Sequence, residues 1–101
     1  MVTAVDIGTL IVRSPEIRHG RPRIAGTGMT VHRIASWYKL GNSPEKIAEE
    51  ISYLSLAQVY AALAHYHANK EQIEADLDED ESEFERVEEE WYRSKGLEPR
   101  K

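Results

Sequence analysis

Three helix-start signals follow one another in this chain, and they leave room for little besides a bundle of short helices. Thr30 can cap a first helix in which Val31, Ile34 and Tyr38 recur on one face, with Lys39 near its end and Gly41 in the position of a left-handed stop. Ser43, Pro44 and Glu45 then supply an N-cap, a proline at the first helical position and an early acid, and Ile47 and Ile51 give the second helix its buried face. Ser55 with Gln58 forms a capping box, after which Leu56, Val59, Leu63 and Tyr66 alternate at spacings of three and four. Three helices joined by two tight turns are therefore expected.

Ahead of them the pattern is that of strand and loop. Residues 9–12 are β-prone and are closed by Ser14 and Pro15; residues 23–25 can form a second short strand. Between the two lies a basic stretch in which Gly20 and Pro22 forbid a helix, so a hairpin or wing packed on the bundle is expected. Beyond Tyr66 the apolar register continues through Ile73, Leu77, Phe84, Val87 and Trp91. Asp76, Asp78 and Asp80 are weak helix formers and Ser82 with Glu85 makes another capping box, which places a break at residues 78–82 and a separate last helix ending at Gly96. The fold class is thus mainly α: an N-terminal β-hairpin, a three-helix helix-turn-helix bundle over residues 1–77, and an acidic helical extension over residues 78–101.

The net charge of −5 over 101 residues hides a division. Residues 1–46 hold seven Lys or Arg against three acids, and residues 47–101 hold six against fifteen, giving +4 in front and −9 behind. Such a division suggests two surfaces of opposite sign, the front one facing nucleic acid, although a basic loop beside a solvated acidic helix has the same signature. The apolar runs at residues 10–12 and 61–64 are far shorter than the ~20 residues of a membrane span, so the expectation is a cytoplasmic protein with no membrane partner. With no cysteine, disulfides, thiol catalysis and thiolate zinc sites are excluded.

Enzyme constellations are thin. His65 and His67 are two residues apart on a helix and so face different ways, whereas metal ligands on one helix need a spacing of three or four. Gly26-Thr27-Gly28 lacks the longer glycine-lysine pattern of a phosphate loop. No catalytic residue, metal or cofactor is expected.

The bundle offers a positive case. In a helix-turn-helix the helix after the turn presents its N-terminal residues to base edges in the major groove. With Leu56, Val59 and Leu63 turned inward, the outward residues would be Ser55, Ala57, Gln58, Ala61, Ala62 and His65, with Gln58 suited to adenine and the alanines to a thymine methyl. No Lys or Arg lies between Lys46 and Lys70, so phosphate contacts must come from the front, chiefly Arg18, Arg21, Arg23 and Arg33.

Several blocks carry a resemblance. Pro15-Glu-Ile-Arg-His-Gly-Arg-Pro-Arg-Ile-Ala-Gly-Thr27, then Thr30-Val31, then Gly41-Asn-Ser-Pro-Glu-Lys-Ile-Ala48 and Leu54-Ser-Leu-Ala-Gln-Val-Tyr-Ala-Ala-Leu63 resemble the family called domain of unknown function 433. The resemblance covers about residues 11–77. It implies a homeodomain-like helix-turn-helix with an N-terminal β element, often a homodimer, acting as the antitoxin of a VapBC-like pair whose toxin is a PIN-like ribonuclease. Where that family usually has Gly-Thr-Arg before the first helix, this chain has Gly26-Thr27-Gly28.

These readings converge on a DNA-binding antitoxin that represses its own promoter and neutralises its toxin. Arg18, Arg21, Arg23, Arg33, Ser55, Gln58, Ala61 and His65 would bind DNA, and Phe84, Val87 and Trp91 would anchor a partner in a helix-in-groove contact. The same stripe suits the chain's own core or a second subunit equally well. A protein-interaction adaptor or dimerisation module that never touches DNA is the competing class.

Overall fold

A computed structural model describes residues 4–96. The chain divides into two compact units, one ending at Lys70 and the other beginning at Glu71.

In the first unit a short 3-10 turn, Ile7–Thr9, leads into strand β1 (Ile11–Val12), which pairs antiparallel with β2 (Arg23–Ile24) in the register Ile11 to Ile24 and Val12 to Arg23. Both strands are shorter than the sequence suggests, because Thr9 belongs to the 3-10 turn and Ala25 begins the next loop. That loop doubles back at once: Ile24 N–H donates to the Met29 carbonyl at 2.9 Å, and Arg23 and Thr30 form an isolated antiparallel bridge. The start of the first helix is thereby fixed against the hairpin.

Helix α1 spans Val31–Lys39, α2 spans Pro44–Glu50 and α3 spans Leu56–Ala68. Each start is capped by the residue its sequence pattern names. The Thr30, Ser43 and Ser55 hydroxyls accept from the backbone N–H groups of Arg33, Lys46 and Gln58, each at 3.1 Å. At Ser55 the box is complete, since Gln58 Oε1 accepts from the Ser55 N–H at 2.7 Å. Such caps satisfy N–H groups that the helix leaves open and contribute about 0.5–2 kcal/mol each. Gly41, at φ 101°, ends the first turn as expected.

The core of this unit is the inner face of the three helices closed by the hairpin. Ile24 of β2, Val31, Ile34 and Ala35 of α1, Ile47 of α2, and Val59 and Ala62 of α3 are fully buried. Burying one such isoleucine stabilises the fold by about 1.5–3 kcal/mol. Tyr66 is buried too, with the half-exposed Tyr38 ring edge-on at 6.5 Å. Leu56 departs from its expected inward direction and is 43% exposed, because the buried seam of α3 begins only at Val59. Ala61 and Ala62, expected on the outer face, are buried.

The second unit holds the helix α4 (Lys70–Ser94) from Glu71 onward; the helix is unbroken through residues 78–82, so the break expected there and the cap at Ser82 are corrected. The interruption lies instead at Asn69, which has φ −130° and ψ 34° and whose Nδ2 donates back to the His65 carbonyl at 3.0 Å. A boundary at residues 77 and 78 would fall inside this helix. Side-chain pairs one turn apart support the acidic run, among them Gln72 Nε2 donating to Asp76 Oδ1 at 2.9 Å. The chain is mainly helical with an N-terminal two-stranded hairpin and a helix-turn-helix bundle.

Candidate nucleic-acid interface

The segment between the two strands takes an uncommon conformation. Arg18, His19 and Gly20 all lie in the left-handed region, with φ of 51°, 56° and 75°. Arg18 and His19 carry side chains there at a cost of roughly 1–2 kcal/mol each. The turn is held by two backbone hydrogen bonds of 3.0 Å, from Gly20 N–H to the Ile17 carbonyl and from Arg21 N–H to the Arg18 carbonyl. Its effect is to turn Arg18 back towards the loop before α1, where its Nε donates to the Gly28 carbonyl at 3.1 Å.

A concavity of about 470 Å³ opens at this place. Arg18, Arg21 and Arg33 line it together with His19, Thr30 and Tyr53, and among the described residues no acid lines it. Arg33 comes from the first turn of α1, and Tyr53 from the turn that leads into α3. The hairpin loop, the N-terminal end of α1 and the entry to α3 thus share one basic surface. Three guanidinium groups converging on one concavity suit an anion, and the N-terminus of α1 at its rim adds a favourable dipole. Tyr53, 62% exposed, offers a ring for stacking.

Sequence reasoning named Arg18, Arg21 and Arg33, and the fold brings them together. Arg23 is placed elsewhere. It is buried, donating from Nη1 to the Thr27 carbonyl at 3.2 Å and from Nη2 to Ser14 Oγ at 3.0 Å, so it ties two loops and presents no charge to a ligand. Gln58 spends its acceptor on the Ser55 cap.

Ala61 and His65 belong to a separate groove of about 510 Å³, lined by Ile11, Val12 and Arg13 of the hairpin and by Ala64 and Ala68 of α3. There the His65 imidazole is held below its ordinary pKa, first by burial and then by the charges of Arg13 and His32. The exposed residues of α3 are Leu56, Ala57, Tyr60, Ala64, His67 and Ala68. Tyr53 and Tyr60 were not singled out from sequence. An aromatic residue in the turn before α3 was the available signal for Tyr53.

Helix α2 brings little positive charge to this surface. Lys46 is paired with Glu50 at 2.9 Å, which raises the pKa of the ammonium through that hydrogen bond and the nearby carboxylates, and Glu45 and Glu49 remain beside it. In the second unit Phe84, Val87 and Trp91 are 67%, 54% and 52% exposed, a continuous apolar stripe on an acidic helix. Among the described residues no three His, Asp or Glu side chains gather as a metal site, and no helix is long and apolar enough to cross a membrane.

Comparison with curated proteins gives no match. Among solved structures, the fold is similar to that of a DUF433 member protein from Anabaena variabilis, with a TM-score of 0.64, 23% identity and 69% of each chain covered. The family described as protein of unknown function DUF433 matches residues 11–66, which run from β1 through most of α3. More than half of the sequence, including the hairpin, the arginine concavity and the helix-turn-helix, falls within that match, and the chain belongs to the DUF433 family.

Proposed function

We propose that this protein is a DNA-binding regulator of the antitoxin type, acting as a homodimer on its own promoter. The observation that carries the reading is the convergence of Arg18, Arg21 and Arg33 beside Tyr53, at the entry to α3. Phosphate contacts supply most of the affinity of such proteins, and α3 has no Lys or Arg of its own. The hairpin loop and the start of α1 provide that charge next to the helix that reads bases. The exposed Ala57 and Tyr60 replace Ala61 and Gln58 as the groove-facing residues of α3.

Helix α4 would capture the protein partner. Its Phe84, Val87 and Trp91 stripe is flanked by acids, so two copies of this helix repel one another and the fitting partner is an apolar groove with a basic rim. A PIN-like ribonuclease toxin is the proposed occupant.

The deciding experiment is a fluorescence-anisotropy titration of promoter DNA at several salt concentrations. Three phosphate contacts per subunit predict a loss of roughly forty-fold in affinity between 50 and 200 mM salt for a single subunit, and more for a dimer. Absence of binding at low salt rejects the regulator and leaves an adaptor built on α4.

A further inference from the structure

At Gly28 the chain has no cation where its family usually has an arginine, yet the fold uses that position. A methyl group on residue 28 would lie 3.1 Å from Arg18 Nη2 and 3.5 Å from its Nε. The Nε–Nη2 edge of the guanidinium therefore lies close against the bare backbone of residue 28, with Nε donating to that residue's carbonyl at 3.1 Å. Gly28 is not among the glycines with positive φ, so its backbone conformation does not demand glycine. A side chain at residue 28 would instead push the tip of Arg18 aside by a few tenths of an ångström.

We infer that Arg18 and Gly28 together form a phosphate seat: the left-handed turn at residues 18–20 delivers the guanidinium, the Gly28 carbonyl fixes its plane, and its outer edge meets a phosphate oxygen in the concavity. A fork fixed through Nε keeps its Nη groups available for paired hydrogen bonds, the geometry in which arginine recognises phosphate. Arg33 from α1 closes the far side, and among the described residues no hydrogen-bond or ion-pair partner holds its guanidinium. The strain in two non-glycine left-handed residues is explained by this delivery, since a relaxed turn would send Arg18 elsewhere. The seat deepens the DNA-binding reading and rests on it for its ligand, a backbone phosphodiester; free phosphate shares the chemistry and is separated by experiment.

The test uses the full chain in four forms: unaltered, Arg18→Ala, Gly28→Val and the double variant, each checked for an unchanged melting temperature. One arm titrates a promoter duplex by anisotropy, and the other titrates pyrophosphate by following the Arg18 Nε–H and Gly28 amide NMR signals. Each single variant is expected to weaken duplex binding about ten-fold, the order of one charge-assisted hydrogen bond. The double variant is expected to be no weaker than Arg18→Ala alone, because both changes remove one contact. Arg18→Lys should recover part of the loss, since it restores charge without the fork. Additive losses, or duplex binding indifferent to Arg18, overturn the seat while the DNA reading stands. Pyrophosphate shifts that Gly28→Val abolishes, without duplex binding, keep the seat and reject DNA. No response in either arm overturns both.

Discussion

The Tyr60 hydroxyl donates to both oxygens of the Glu45 carboxylate, at 3.0 and 3.3 Å, tying the middle of α3 to the first turn of α2. This contact raises the phenol's pKa, chiefly through the hydrogen bond, with burial and the carboxylate charge adding to it. The proton is then held more firmly in the folded state than in the unfolded one. The stabilisation is complete below the ordinary tyrosine range and is lost as pH rises through the raised value. Glu45→Gln should return the Tyr60 titration towards the ordinary range, read by ultraviolet absorbance between neutral and strongly alkaline pH.

Arg23 should behave as a structural residue. Removing its guanidinium in Arg23→Ala deletes the bonds to Thr27 and Ser14 and leaves a cavity between two loops. A loss of about 2–3 kcal/mol in urea unfolding is expected, from a charged donor at a buried site. DNA affinity per folded molecule should stay within a factor of two, whereas Arg33→Ala should lower it with little change in stability. The reverse pattern would place Arg23 in the interface.

The closely packed interior sets a larger scale. Ile34 and Ile47 are fully buried on facing helices, so truncation of either to alanine should cost about 2–5 kcal/mol by chemical denaturation. In a unit this small that loss can unfold the bundle outright. Leu56→Ala, at a half-exposed position, should cost far less.

His65 gives the fold a mildly acidic weakness. Its pKa is lowered in the native state, so between that value and the ordinary histidine range the unfolded chain binds the extra proton. The His65 contribution is therefore full above about pH 6.5 and falls as pH drops through the lowered native value. Melting temperature measured from pH 7.5 to 5 should decline, and His65→Gln should flatten part of that decline. Arg13→Gln should do so more weakly, because burial outranks the Arg13 charge as a cause.

The apolar stripe of α4 should matter for capture and little for folding. Phe84, Val87 and Trp91 are each more than half exposed, and surface substitutions of this kind usually change stability by no more than about 0.5 kcal/mol. Phe84→Ala with Trp91→Ala should retain helicity by circular dichroism while abolishing co-purification with the product of the adjacent reading frame and rescue of growth.

The helix starts at Thr30, Ser43 and Ser55 were legible in the sequence because a cap is closed within three residues and depends on nothing distant. The stop at Asn69 was not, since no glycine or proline marks it and the departure rests on one amide bonding back to His65. The aspartate run misled for a related reason. Helix propensities differ by only ~0.7 kcal/mol per residue, and pairs such as Gln72 with Asp76 offset them. Of the site, the arginines of the loop were visible by charge alone. That Arg23 turns inward while Arg18 folds onto Gly28 depends on strand pairing and on three left-handed residues, neither of which leaves a local pattern.

The short hairpin has a consequence for the order in which the molecule is built. Each cap in α1 to α3 joins residues three apart, whereas β1 and β2 bring Ile11 to Ile24 across thirteen positions for only two residue pairs. Closing the longer loop costs more chain entropy, by about 1.3 kcal/mol on a logarithmic scale, and gains few bonds in return. The helices are consequently the early structure and the hairpin the late one. The concavity needs both, so Arg18 and Arg21 reach their places beside Arg33 only when the hairpin closes on helices that have already formed.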